Sequence, residues 1–240
     1  MKSFNFNLKS FIIGLGVVAA SHSALASPAS EAMLEKLKKG YPNIPFSQVN
    51  DTPVPGIYEA IFGTDVLYVE SSGVYFFPTM VNMVTKANLG DERRAELNKI
   101  DFSELPLADA IKTVHGNGKR KMAVFADPNC GYCKKLEVNL EGLTDVTIYT
   151  FALGILGPDS TAKATTVNCS TGDKSKLWRS MMVEGGKPVV KEYGNGTTAK
   201  NLALFQKFGF QGTPAIVFQN GSTLKGYAEN ARLEEMLAKK

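Results

Sequence analysis

Apolar positions change their period several times along the chain, and each change marks a different kind of element. An unbroken apolar run, Phe11-Ile12-Ile13-Gly14-Leu15-Gly16-Val17-Val18-Ala19-Ala20, follows Lys2 and Lys9 and leads to Ala24-Leu25-Ala26. Met33, Leu34, Leu37 and Tyr41 then recur at helical spacing behind Ser27, Pro28 and Ser30, with Gly40 as the stop, which predicts a short amphipathic helix. From Tyr41 to about Asn88, Pro42, Pro45, Pro53, Pro55 and Gly56 punctuate β-branched and aromatic runs, the texture of short strands. Within it, Val66-Leu67-Tyr68-Val69-Glu70 and Val74-Tyr75-Phe76-Phe77 flank Ser71-Ser72-Gly73, a hairpin signal. Leu89 to Ile100 is dense in charge around Ala95, Leu97 and Ile100 and reads as a solvated connector helix.

Beyond Pro106 the pattern is that of a compact α/β unit. Met122 to Ala126 suits a buried strand, Cys130 to about Glu141 a helix stopped by Gly142, and Val146 to Leu153 a second strand. That order implies parallel strands with a right-handed crossover. A helical middle follows, then Pro214-Ala215-Ile216-Val217-Phe218, a turn at Asn220-Gly221, a strand at Thr223-Leu224-Lys225, and a last helix from Asn230 with Leu233, Met236 and Leu237 on one face. Strand, helix, strand, helical middle, hairpin and closing helix make the thioredoxin plan.

The leading apolar run, with lysines before it and Ala24-Leu25-Ala26 after it, is the three-part pattern of a secretory signal, with cleavage expected after Ala26. It is shorter than the roughly 20 residues a spanning helix needs. Removing Lys2 and Lys9 leaves 25 basic against 23 acidic residues, a net charge of +2 that implies no nucleic-acid partner. Exported chains that rely on disulfides for stability carry many cysteines in even number, whereas this chain has 3: Cys130, Cys133 and Cys169. Cysteine here serves chemistry.

Cys130-Gly131-Tyr132-Cys133 sits where a strand hands over to a helix. At a helix start, unpaired N–H groups and the positive end of the dipole favour thiolate over thiol at the first sulfur. The second sulfur, three residues on, lies one turn deeper beside Leu136 and Leu140, placed to close on the first. Cys130 is therefore expected to attack a disulfide and Cys133 to resolve the mixed disulfide, with Lys134 and Lys135 as minor or merely solvating neighbours. The position six residues before Cys130 is Val124, so no acid is available from that strand site. Zinc is the competing chemistry, since Cys130, Cys133, Cys169 and His115 offer four ligands, but the last two lack paired spacing. A second feature is Gly212-Thr213-Pro214-Ala215: proline at the first residue of a strand suits a cis turn, and it leaves the Thr213 backbone as an edge for a docking peptide. Asn195-Gly196-Thr197 and Asn220-Gly221-Ser222 match glycosylation sequons but read as turns.

Phe125-Ala126-Asp127-Pro128-Asn129-Cys130-Gly131-Tyr132-Cys133 and Gly212-Thr213-Pro214-Ala215, on this order of elements, resemble the DsbC/DsbG family of periplasmic disulfide isomerases. The resemblance implies an α+β chain: a signal peptide over 1–26, a small cystatin-like dimerisation domain over 27–90, a connector helix over 91–106, and a thioredoxin-like catalytic domain with a helical insertion over 107–240. It implies a V-shaped homodimer whose cleft receives misoxidised exported proteins, Cys130 as nucleophile, Cys133 as resolving thiol, and Thr213, Pro214, Gly131 and Tyr132 at the substrate. It implies no metal or other cofactor, a location in the periplasm, and a membrane electron donor of the DsbD type. Family members carry a second disulfide in the catalytic domain. Cys169 resembles half of it, but no cysteine follows, so Cys169 reads as a buried thiol or as an intermolecular bridge. A thiol reductase that protects single cysteines, in the manner of DsbG, and a client-holding chaperone with secondary redox activity are the alternatives.

Overall fold

The computed structural model describes residues 27–186 and 196–239, so the expected signal segment with its cleavage site and Asn195 of the first sequon lie outside the described residues. The chain forms two compact units.

In the N-terminal unit, α1 (Pro28–Gly40) starts with a reciprocal cap: Ser30 N–H donates to Ser27 Oγ at 3.2 Å and Ser27 N–H to Ser30 Oγ at 2.8 Å. Its apolar face, Met33 and Leu37, is buried with Phe46, Val49, Ala60 and Val69 of a sheet ordered β1 (Phe46–Asp51), β2 (Ile57–Phe62), β3 (Asp65–Glu70), β4 (Phe76–Phe77). Tyr41 closes this small core edge-on against Phe76, ring centroids 5.3 Å apart. The β3–β4 turn is built by Glu70, whose carboxylate accepts the N–H groups of Ser72, Val74 and Tyr75. Hydrogen bonding to Ser72, first of all, holds the Glu70 carboxyl down at about 2.

The second unit contains the charged segment, which is α-helical only over α2 (Leu89–Leu97), capped by Asn88, with a separate 3-10 turn at Phe102–Glu104. The expected connector helix through residue 106 is thus cut short. Ile100, Phe102 and Leu105 are apolar and bury into the core of the second unit, and a single helix cannot aim them there while presenting its charged side to water. The segment is instead pinned where Ile100 N–H donates to Gly221 O at 2.9 Å. A Cβ on Gly221, whose φ is +84°, would come within 2.8 Å of Ile100 O, so the turn expected at Asn220-Gly221 needs glycine.

A five-stranded sheet follows, in the order β5 (Ile111–His115), β7 (Val146–Ala152), β6 (Arg120–Ala126), β8 (Ala215–Phe218), β9 (Thr223–Lys225). Only β6 and β7 are parallel, joined by α3 (Gly131–Leu140). Because strand side chains alternate, β6 serves two cores. Met122, Val124 and Ala126 face a layer with Leu136, Trp178 and Leu233 of α3, α5 (Lys174–Met182) and α7 (Asn230–Ala238). Ala123 and Phe125 face a layer with Phe151, Phe205 and Phe210, the Phe205 coming from α6 (Gly196–Lys207). The helical middle starts with α4 (Pro158–Cys169), whose last residue, Cys169, is partly exposed rather than buried. No helix among the described residues is long and apolar enough to cross a membrane.

Candidate active site

β6 ends at Ala126, and the turn Asp127-Pro128-Asn129 delivers Cys130 to the N-cap of α3, with Cys130 N–H donating to Asp127 O at 3.1 Å. Cys130 is extended (φ −76°, ψ 118°), so its Sγ swings over the first turn and accepts the Cys133 N–H at 3.4 Å. From across the sheet, the loop before β8 brings the Thr213 carbonyl to 3.5 Å from Cys130 Sγ, and the Thr213–Pro214 peptide is cis. Gly131 and Tyr132 lie on the exposed rim of the helix start, with Tyr132 61% exposed. Lys135 is spent on that ring, its Nζ 5.4 Å from the Tyr132 centroid. Gly131, Tyr132, Thr213 and Pro214 are thus grouped around Cys130 and Cys133.

Cys130 and Cys133 are both thiols, and their environments differ. Burial works to raise the Cys130 thiol, but hydrogen bonding to Thr213 and to Cys133 outweighs it and holds Cys130 below the ordinary 9.0. Cys133 is 1% exposed, and burial pushes it up to about 12 against hydrogen bonds from Thr213 and the Asp127 backbone, with the Cys130 charge adding to the rise. The two sulfurs are thus displaced in opposite directions, Cys130 towards the thiolate and Cys133 towards the thiol.

His115 bonds through Nδ1 to Leu143 O at 3.1 Å, and among the described residues no three His, Cys, Asp or Glu side chains are arranged to hold a metal. The four potential zinc ligands of the sequence are therefore not brought together. A cavity of about 520 Å³ is lined by Lys119, Arg120 and Lys121 at the start of β6, the opposite end of that strand from Cys130.

Sequence reasoning missed the groups that hold the Cys130 loop. The Asp127 carboxylate is fully buried and accepts from the loop after β7 and from Ser160 of α4. Asn129 Nδ2 donates to Asp159 at 2.7 Å, and Lys163 Nζ donates to Asn129 Oδ1 at 2.9 Å. The one available signal was Asp127-Pro128-Asn129 itself, since Asp opens turns by accepting an N–H two residues on.

A family model described as the disulfide bond isomerase protein N-terminal domain matches residues 24–89, and one described as a thioredoxin-like domain matches 107–240. A probable thiol:disulfide interchange protein DsbC from Bordetella parapertussis is 36% identical over 211 residues, covering 88% of this chain and 75% of its own. The thiol:disulfide interchange protein DsbC of Escherichia coli is 27% identical over 230 residues, 93% of either chain. Among solved structures, a disulfide interchange protein from Neisseria gonorrhoeae superposes with a TM-score of 0.52 at 44% identity, over 55% of this chain and 96% of its own. Both halves of the chain find their counterparts, in the same order and over most of its length. The chain accordingly belongs to the DsbC family and is a thiol:disulfide oxidoreductase built on a thioredoxin fold.

Proposed function

We propose that the protein is a homodimeric disulfide isomerase and reductase of the periplasm, exported by a signal peptide cleaved after Ala26, that works through a mixed disulfide at Cys130. The observation that carries this reading is the opposite displacement of the two thiols, Cys130 below its ordinary value and Cys133 up at about 12. The Cys130 thiolate attacks one sulfur of a wrong disulfide in an exported protein. A Cys130–S–S–client bond forms, and the other client sulfur leaves as a thiolate that takes a proton from water. A client thiolate then attacks the client sulfur of the mixed disulfide and expels Cys130, which rearranges the client with no net oxidation. Where no client thiolate arrives, Cys133 loses its proton and attacks the Cys130 sulfur; the client leaves reduced and a Cys130–Cys133 disulfide remains. Return to the dithiol takes two electrons, the task of a membrane donor of the DsbD type. Thr213 and Pro214 offer backbone to the client beside Cys130, and Gly131 and Tyr132 form the rim against which it lies.

The homodimer is supported by the match to an isomerase N-terminal domain and by the β4 edge, where Phe77 and, just before the strand, Val74 and Tyr75 are exposed. An unpaired strand edge carrying large apolar groups favours a second copy. The test is recovery of ribonuclease activity from scrambled ribonuclease by the reduced protein. Activity that disappears in Cys130→Ser is expected; a wild-type protein that restores none overturns the isomerase reading.

A further inference from the structure

Among the described residues Asp127 is the one acid buried completely from water, and it stands three residues before Cys130. A carboxylate there is costly unless its lone pairs are met. They are met in full: Oδ1 accepts from Asn129 N–H at 2.8 Å and from the Ser160 hydroxyl, and Oδ2 accepts from Ile155 N–H at 2.8 Å and Leu156 N–H at 3.1 Å. Four donors on about four lone-pair sites leave the carboxylate saturated. What it joins is three pieces of chain: the turn that carries Cys130, the loop after β7, and the first turn of α4. That loop is itself seated without slack, since Leu153 N–H donates to Ala126 O at 2.8 Å and a Cβ on Gly154 would meet Thr161 Cα at 2.4 Å.

We infer that Asp127, locked by Ser160, is a positioning residue for the Cys130 sulfur. Its carboxylate fixes Asn129 and its carbonyl takes the Cys130 N–H. These two contacts set the extended backbone of Cys130 that lets Sγ accept the Cys133 N–H. The inference rests on Cys130 being the attacking thiol.

The sign of one measurement separates positioning from its rivals. Asp127→Asn removes a negative charge, which by itself favours the Cys130 thiolate. It also turns an NH2 group against N–H donors on whichever side it faces, which loosens the turn and takes the Cys133 N–H off the sulfur. Positioning therefore predicts a rise in the Cys130 pKa, charge alone a fall, and a purely structural part no change beyond a lower melting temperature. The experiment is the pH dependence of iodoacetamide alkylation of the reduced mature chain, with the alkylated cysteine located by mass spectrometry. We expect Asp127→Asn to raise the Cys130 pKa by about one unit, which leaves roughly tenfold less thiolate well below that pKa. Ser160→Ala, which leaves the carboxylate three donors, is expected to shift it in the same direction by less, and it decides the matter if Asp127→Asn does not fold. An unchanged or lowered Cys130 pKa in the deciding variant overturns the inference. Alkylation of the wild type at a cysteine other than Cys130 overturns instead the reading on which it rests.

Discussion

Glu137 lies one helical turn beyond Cys133 and shows how strongly the α3 interior acts on charge. Burial, chiefly, pushes its carboxyl up to about 7, with Glu141 adding to the rise. A raised acid means that the folded state holds a proton the unfolded chain has released, so stability falls as pH climbs from about 4.5 towards 7 and stays reduced above it. Glu137→Gln imitates the neutral form. It is expected to leave stability unchanged at pH 4 and to raise it at pH 8 by about 1–3 kcal/mol, read from urea unfolding at both pH values; equal stability at pH 8 contradicts this. Residues were legible in the sequence where chemistry is local. Cys130 and Cys133 declare themselves by spacing, and Thr213 and Pro214 by a proline at a strand start. Asp127 and Ser160 stayed hidden because they meet across 33 residues, and neither side chain alone predicts the other.

At the scale of elements, legibility followed periodicity. β6, β7 and β8 are apolar runs, and α1 and α7 have clear stripes, so all five were readable. β5 escaped because Ile-Lys-Thr-Val-His is short and mixed, an edge strand whose Val114 is 52% exposed. α4 was seen only as part of a helical middle. Its buried face is mostly polar, with Ala164 and Val167 among hydroxyl and amide groups: Thr165 and Asn168 both bond to Thr198 of α6, at 3.1 and 2.9 Å. The connector helix was overdrawn because charge density marks a solvated helix but not where it ends, and its end was decided by the burial of Ile100, Phe102 and Leu105. The hairpin over residues 66–77 was legible from its aromatic runs, whereas the Glu70 carboxylate that organises its turn was not, since side chain to backbone bonds leave no periodic trace.

For the whole molecule, the six expected site residues from two distant stretches of sequence converge on one end of the central sheet, which is what the thioredoxin fold supplies: a parallel pair whose crossover helix starts at Cys130, beside a loop entering the adjacent antiparallel strand. The N-terminal unit packs a small core around Met33, Leu37 and Val69 and leaves Phe77 of its edge strand β4, with Val74 and Tyr75 just before it, open. Small cores of this kind are marginal alone, and pairing with a second copy offsets the deficit. Sedimentation equilibrium of the mature chain at micromolar concentration is expected to give twice the monomer mass, and a monomer would remove the homodimer from the account. The central claim is that Cys130 attacks and Cys133 resolves. It is tested most directly by mixing reduced Cys133→Ser protein with a disulfide-bonded client, quenching with acid, and mapping the adducts by mass spectrometry. The account predicts a persistent client adduct on Cys130 that the wild type clears; an adduct on Cys169, or none at all, would contradict it.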